Sequence, residues 1–318
     1  MTIIGLVSSV AVAITTLSTA QPAQGDRDVR LQVEPSSSQD PSELVRQAQQ
    51  KLRDGKPDEA VSILRDAVHA SPRSFAANNQ LGIALDFTGN YAEARAQFTK
   101  AIELAATPQQ KAQAQRSMAM SYAFEGDCAD AAKYETPVYE MYLADKDFFD
   151  AGEVANELAR VCLDAGNLAE AAKWYQTGHD VGLREPDIKP DRKDLWEFRW
   201  EHAQARIAAR RGNKPEAERH VAAAKAILDR GTNPQQAQFF PYLVGYVALY
   251  TGDAGTALAE LQKANQSDPF IVCLMGEAYE RLGQREQAAA AYKKASTLST
   301  AHNPPNAYAR RLTRKKVS

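Results

Sequence analysis

Asn78-Asn-Gln-Leu81-Gly82-Ile-Ala-Leu85-Asp-Phe87-Thr-Gly89-Asn90-Tyr91-Ala-Glu93-Ala94-Arg-Ala-Gln-Phe98-Thr-Lys-Ala101 joins two helical patterns at Gly89-Asn90. Glycine enters the left-handed conformation that closes a helix without steric cost, and asparagine is a favoured cap for the next one. Glu93, three residues after Asn90, completes the pattern of a capping box, in which side chains satisfy two otherwise unpaired amides. A helix is therefore expected to stop here, turn at once and continue as an antiparallel helix. Gly82 and Ala94 carry almost no side chain, so the two backbones can approach closely, with Leu81, Leu85 and Phe98 around the contact. Such a hairpin cannot bury its apolar face alone and needs a neighbour on each side.

The unit recurs. Alanine stands five residues after Gly55, Gly89, Gly126, Gly166, Gly212, Gly252 and Gly283, and after none of the other glycines. Asn or Asp follows the glycine at Asn90, Asp127, Asn167, Asn213 and Asp253. The first two turn glycines lie 34 residues apart (55 to 89), the fourth and fifth 46 (166 to 212). The longer interval contains Leu183 to Asp194 with Pro186 and Pro190, expected to be an exposed loop before a long helix from about Arg192 to Arg211. Pro137 falls well inside a second helix and is expected to kink or end it.

The repeat resembles the tetratricopeptide repeat (TPR): a large residue, Leu-Gly, Tyr, Ala, an aromatic, then Pro. Met275-Gly276, Tyr279, Ala288 and Tyr292 match in the last copy. Val244-Gly245, Ala257, Leu261, Ala264 and Pro269 match in the sixth, and Ala60, Leu64, Ala67 and Pro72 in the first. In the weaker third, fourth and fifth copies Ala119, Ala159 and Ala205 replace the family's glycine. The resemblance covers about residues 41–302. It implies an all-α fold, a right-handed α-α superhelix of about seven helix hairpins, with a basic capping helix over 303–318 carrying Arg310, Arg311, Arg314, Lys315 and Lys316. A contact from that helix to an anionic surface is the alternative reading.

A chain of 318 residues with 44% hydrophobic residues and net charge −2 has no charge excess for bulk nucleic-acid binding. Cys128, Cys162 and Cys273 are scattered without a CxxC pair and read as small buried hydrophobes. Residues 1–20 are uncharged, apolar from Ile3 to Leu17, and end in Ser18-Thr19-Ala20, the pattern of a signal peptide and too short for a stable membrane span. Export to the periplasm or the extracellular space is expected. The n-region lacks Lys and Arg, which leaves an uncleaved anchor or a cytoplasmic chain as the alternative. Residues 21–40 read as a disordered linker.

In the TPR family, groove-facing residues fall thirteen, ten, six and two positions before the turn glycine. The resemblance thus implies a wall with Phe239, Tyr242, Tyr246 and Tyr250 in the sixth copy, and Arg199, His202, Arg206 and Arg210 in the fifth. Asn156 and Arg160 follow in the fourth copy, Arg116 and Phe124 in the third. The sixth-copy set also shares one helical face by spacing alone. Aromatic area beside forked guanidinium donors suits an extended protein or peptide segment with acidic or C-terminal carboxylates and aromatic or aliphatic side chains. Arg206→Glu or Tyr246→Ala is expected to abolish capture with helicity intact. Against this, the tyrosines can pack between hairpins and the arginines can form a solvated face. The clamp of the chaperone-binding members is not matched: Val45, Gln49, Gln80 and Met120 stand in its places, with only Arg116 suitable.

There is no HExxH, P-loop, GxGxxG or GxSxG, and the five histidines are dispersed, so neither enzyme activity, a cofactor nor a metal site is expected. The expected work is that of a non-catalytic scaffold or adaptor holding a segment in its concave groove. The alternative is a structural subunit of a cell-envelope assembly held through its lateral surface.

Overall fold

The computed structural model describes residues 40–317; the leader read over 1–20, and the linker over 21–40 apart from Asp40, lie outside them. Fifteen α-helices and one 3-10 turn make up the described residues, without a strand. Fourteen of the helices pair as hairpins in chain order: α1 (Pro41–Arg53) with α2 (Pro57–Ala70), α3 (Phe75–Thr88) with α4 (Tyr91–Leu104), and α5 (Pro108–Glu125) with α6 (Cys128–Ala144). α7 (Phe148–Ala165) pairs with α8 (Leu168–Gly182), and α9 (Pro190–Arg210) with α10 (Lys214–Leu228). The 3-10 turn Pro234–Phe239 precedes α11 (Phe240–Tyr250), which pairs with α12 (Ala254–Leu261); α13 (Pro269–Arg281) and α14 (Arg285–Leu298) form the seventh hairpin. α15 (Pro304–Val317) follows.

All seven turn glycines have positive φ, from 71° at Gly55 to 98° at Gly252. At the Gly89 turn the amide of Asn90 donates to the carbonyl of Leu85 at 2.9 Å, which satisfies a carbonyl the helix leaves free. Asp127, Asn167, Asn213 and Asp253 accept the amides three residues on, as expected of N-caps. Asn90 does not: its side-chain Nδ2 donates instead to the Thr88 hydroxyl at 2.9 Å, so the capping box expected there does not form.

A fixed pair sets the distance between the helices of each hairpin: a small residue seven positions before the turn glycine, a large one nine after it. A Cβ at Gly82 would come within 2.5 Å of the Phe98 ring, one at Gly245 within 2.7 Å of Leu261, and one at Gly276 within 2.6 Å of the Tyr292 ring. Ala48 with Leu64 and Ala159 with Tyr175 hold the same places. In the third hairpin the large position is Glu135, which is 1% exposed with neither carboxyl oxygen hydrogen-bonded. Burial, reinforced by Glu157 and opposed by Arg116, pushes its carboxyl well above the usual carboxylate range.

Three expectations need correction. Cys128 and Cys162 are joined by a disulfide that ties α6 to α7, and only Cys273 is a free buried thiol among the described residues. Of the kink or end expected at Pro137, the end does not occur, since α6 runs on to Ala144; Pro137 and Lys133 are both exposed, so water can replace the lost helical bond. The connection before α9 stops at Lys189, because Pro190 takes the first helical turn, where its missing amide costs nothing.

The C-terminal helix differs from a simple end cap. A cap would touch the last hairpin alone, but α15 also packs on α5 and α7. The described array winds far enough to bring its end opposite its first half: His302 hydrogen-bonds Asp86 at 2.9 Å, and the Arg160 guanidinium lies 4.1 Å above the Phe270 ring.

Candidate functional site

The predicted groove residues fall into three groups. The first is packed interior. Arg206 is 4% exposed and has no carboxylate within ion-pair distance among the described residues; it donates to the Tyr175 hydroxyl at 2.9 Å, to the His202 carbonyl at 3.3 Å and to the Tyr242 hydroxyl at 3.5 Å. Arg210 donates to the Leu163 carbonyl at 3.3 Å and the Tyr246 hydroxyl at 3.4 Å, with its guanidinium 4.9 Å over the Tyr250 ring. Tyr246 is fully buried, its ring 4.6 Å from that of Tyr250. Arg206→Glu and Tyr246→Ala would therefore report on folding before binding.

The second group lies near the other end of the wall. Arg116 pairs with Glu157 across α5 and α7, and buried Phe124 stacks on His302 at 5.4 Å. Asn156 faces its own hairpin partner: a Cβ at Gly178 would come within 2.6 Å of its side-chain oxygen.

The third group converges. Arg160, Arg199, His202, Phe239 and Tyr242 line one cleft of about 530 Å³ together with Asp268. Phe239, 45% exposed at the end of the 3-10 turn, stands at its mouth. Arg199 pairs with Glu153 and lies 5.2 Å from the Trp196 ring, while Arg160 pairs with Asp164 at 2.7 Å. Asp268 is engaged as the N-cap of α13, accepting from the Phe270 amide at 2.8 Å. His202 is 9% exposed, and its Nε2 is buried with no hydrogen-bond partner among the described residues. Burial, then Arg206 and Arg160, push its imidazole well below the usual histidine range, so it is neutral at pH 7.

Chemically this is a cleft with an unsatisfied imidazole, two guanidiniums on its walls and an aromatic ring at the lip. Arg206, which contacts His202 and Tyr242 and has no ion-pair partner among the described residues, favours an anion in the cleft. A carboxylate suits both the geometry and the charge. Asp268 and Ile271, which line the cleft, and Phe270, whose ring lies under the Arg160 guanidinium, are not among the residues the family offsets pick out in the earlier copies. The signal was there: thirteen residues before the seventh turn glycine, Gly283, stands Phe270. On the outer face, Val221, Phe240, Val244, Val247 and Ala248 line a separate apolar groove of about 380 Å³. Among the described residues no three His, Cys, Asp or Glu side chains gather as metal ligands, and no helix is long and apolar enough to cross a membrane.

Comparison with known proteins bears on this arrangement. Family models described as tetratricopeptide repeat match residues 45–111, 116–178 and 271–302, together just over half of the chain. Among solved structures, the chain is similar to a tetratricopeptide repeat protein from Parabacteroides merdae, with 17% identity, a TM-score of 0.48, and coverage of 81% of this chain and 93% of that one. It is also similar to MamA from Desulfovibrio magneticus RS-1, at 20% identity and a TM-score of 0.42, covering 60% of this chain and 97% of that one. No relative was found among curated proteins.

Proposed function

Because this chain belongs to the tetratricopeptide repeat family, whose fold commonly serves as a scaffold for protein–protein contacts, we propose that it is a non-catalytic adaptor. It captures an extended segment of a partner protein in the cleft between α7, α9, α11 and α13. The segment offers a carboxylate, from its C-terminus or an acidic side chain, to His202, Arg199 and Arg160, and an apolar side chain to Phe239 and Tyr242. The observation that supports this reading most is His202 in the lining of the cleft, with its buried Nε2 unpartnered among the described residues. A buried polar atom without a partner costs roughly 1–3 kcal/mol, which a ligand that accepts from it recovers.

The adaptor acts outside the cytoplasm. Support comes from the leader-like residues 1–20 and from the Cys128–Cys162 disulfide, a bond that persists in oxidising compartments.

The test uses Arg199→Glu and Phe239→Ala, whose side chains are partly or well exposed and so spare the fold. The mature chain and both variants serve as bait in cross-linked envelope extracts, with captured proteins identified by mass spectrometry. A partner held by the native chain and lost from both variants supports the reading. Capture that survives both substitutions refutes it and moves the function to the outer apolar groove.

A further inference from the structure

Each first helix of the array ends in carbonyls that no helical amide can reach, at the negative end of its dipole. Two later hairpins add a guanidinium donor at such ends of their predecessors, on carbonyls that also accept from the turn glycine amides. Arg210, two residues before Gly212, donates to the Leu163 carbonyl at the end of α7. Arg281, two residues before Gly283, donates to the Leu249 carbonyl at the end of α11. In the third and fourth hairpins that position holds Phe124 and Asp164, neither of which can do this.

For α3 the donor comes from α15 instead, and α15 adds a second donor to the end of α7. Arg310 donates to the Phe87 carbonyl at the end of α3 at 2.7 Å, and Arg314 reaches the same carbonyl at 3.4 Å and the Tyr91 hydroxyl. Arg311 crosses the Gly126 turn in the space a Cβ there would take, and donates to the Asp164 carbonyl at 2.6 Å. His302, ahead of the helix, reaches Asp86. The buried residues of α15 are small or polar, namely Asn306, Ala307, Ala309 and Thr313, with no large apolar anchor among them. Beyond Ala307, which joins the apolar cluster there, its hold on the first half of the array is arginine hydrogen bonding to backbone carbonyls and a tyrosine hydroxyl, between residues up to 227 positions apart in sequence. A non-helical link, 299–303, joins it to α14.

We propose that the wall formed by α3, α5 and α7 is a second binding surface, specific for a basic amphipathic helix. α15 is its tethered occupant, displaced by a partner helix that presents arginines in the spacing of Arg310, Arg311 and Arg314. The surface adjoins the His202 cleft, which α15 borders through Pro305, but the three arginines and the carbonyls they reach are not among the residues lining that cleft, so the two proposals are tested by different substitutions.

The test keeps the full chain. Arg310, Arg311 and Arg314 are replaced together by Ala, and a fluorescent peptide of residues 300–317 is titrated against the native and substituted proteins. A tethered helix competes at an effective concentration on the order of 1 mM, so native protein should show no saturable binding up to about 100 µM peptide. The substituted protein should bind the peptide at least about tenfold more tightly than that limit, and should not bind a peptide carrying the same three alanines. Binding should weaken steeply with salt. A folded triple variant that does not bind, or a native protein that binds equally well, overturns the proposal. If the triple variant does not fold, a protease site placed in the 299–303 link of the otherwise native chain decides. After cleavage, exchange of the resident helix for labelled peptide supports the proposal, and no exchange after a day overturns it.

Discussion

Replacing Glu135 with Leu should stabilise the protein, and by an amount that depends on pH. The position is nine residues after a turn glycine, where the other hairpins carry Leu64, Phe98, Tyr175, Val221, Leu261 and Tyr292. Glu135 is 1% exposed there, with both carboxyl oxygens unpaired. Leaving such a group unsatisfied costs roughly 1–3 kcal/mol. Its folded pKa is raised well above 4.5, by burial first and by Glu157 second. The unfolded chain therefore gives up this proton before the folded one does. Stability is complete below about pH 4.5 and falls as pH rises toward the folded value, by about 1.4 kcal/mol per pH unit. At pH 7 the two effects together make Glu135→Leu at least about 2 kcal/mol more stable than the native chain; near pH 4 only the first remains. Urea denaturation of both proteins at half-unit steps from pH 4 to 8 measures the difference directly. A variant that is less stable at pH 7, or a difference that does not change with pH, would show that Glu135 is charged and paired in the fold.

Other substitutions test the packing and the cleft. Reducing the Cys128–Cys162 disulfide, or replacing both cysteines with Ser, should cost about 4 kcal/mol for a closed loop of this size, with sequence separation 34, read as a lower midpoint in urea; an unchanged midpoint would mean the bond adds no constraint. Gly82→Val puts a side chain into the Phe98 ring and should cost about 1–3 kcal/mol by overpacking, measured in the same way. His202 has the opposite linkage to Glu135. Its folded pKa is depressed, so its contribution is present above about pH 6.5 and is lost as pH falls toward the folded value, by at most about 1.4 kcal/mol per unit. His202→Gln should remove that acid-side loss between pH 7 and 5 in thermal melts, and an identical acid response in both proteins would refute a buried neutral imidazole.

The hairpins were legible because their causes are local. A glycine that must take positive φ, a short polar cap and a small-against-large pair all lie within one unit, and all seven predicted turn glycines have positive φ. What the sequence hid depends on how units stack. Cys128 and Cys162 lie 34 residues apart on different hairpins, and only the packing of α6 on α7 brings them together. A basic helix after the last hairpin reads alike whether it covers the end or folds inward. The contact that decides, Arg310 to Phe87, spans 223 residues. For the candidate site, family offsets gathered Arg160, Arg199, His202, Phe239 and Tyr242 around one cleft, yet placed Arg206 and Tyr246 in the interior among their own partners. An offset fixes which way a side chain leaves its helix. It does not say whether a later hairpin will cover it, as Phe270 covers Arg160.

The most direct test of the binding role is selection from a random peptide library displayed with free C-terminal carboxylates, followed by titration of the selected sequence as free acid and as amide. The account expects segments with an apolar side chain beside a carboxylate, at least tenfold weaker binding of the amide where the C-terminus is the anion, equivalent to about 1.4 kcal/mol, and loss of binding in Arg199→Glu. Selected peptides without a carboxylate, or binding to Arg199→Glu as tight as to the native chain, would contradict it.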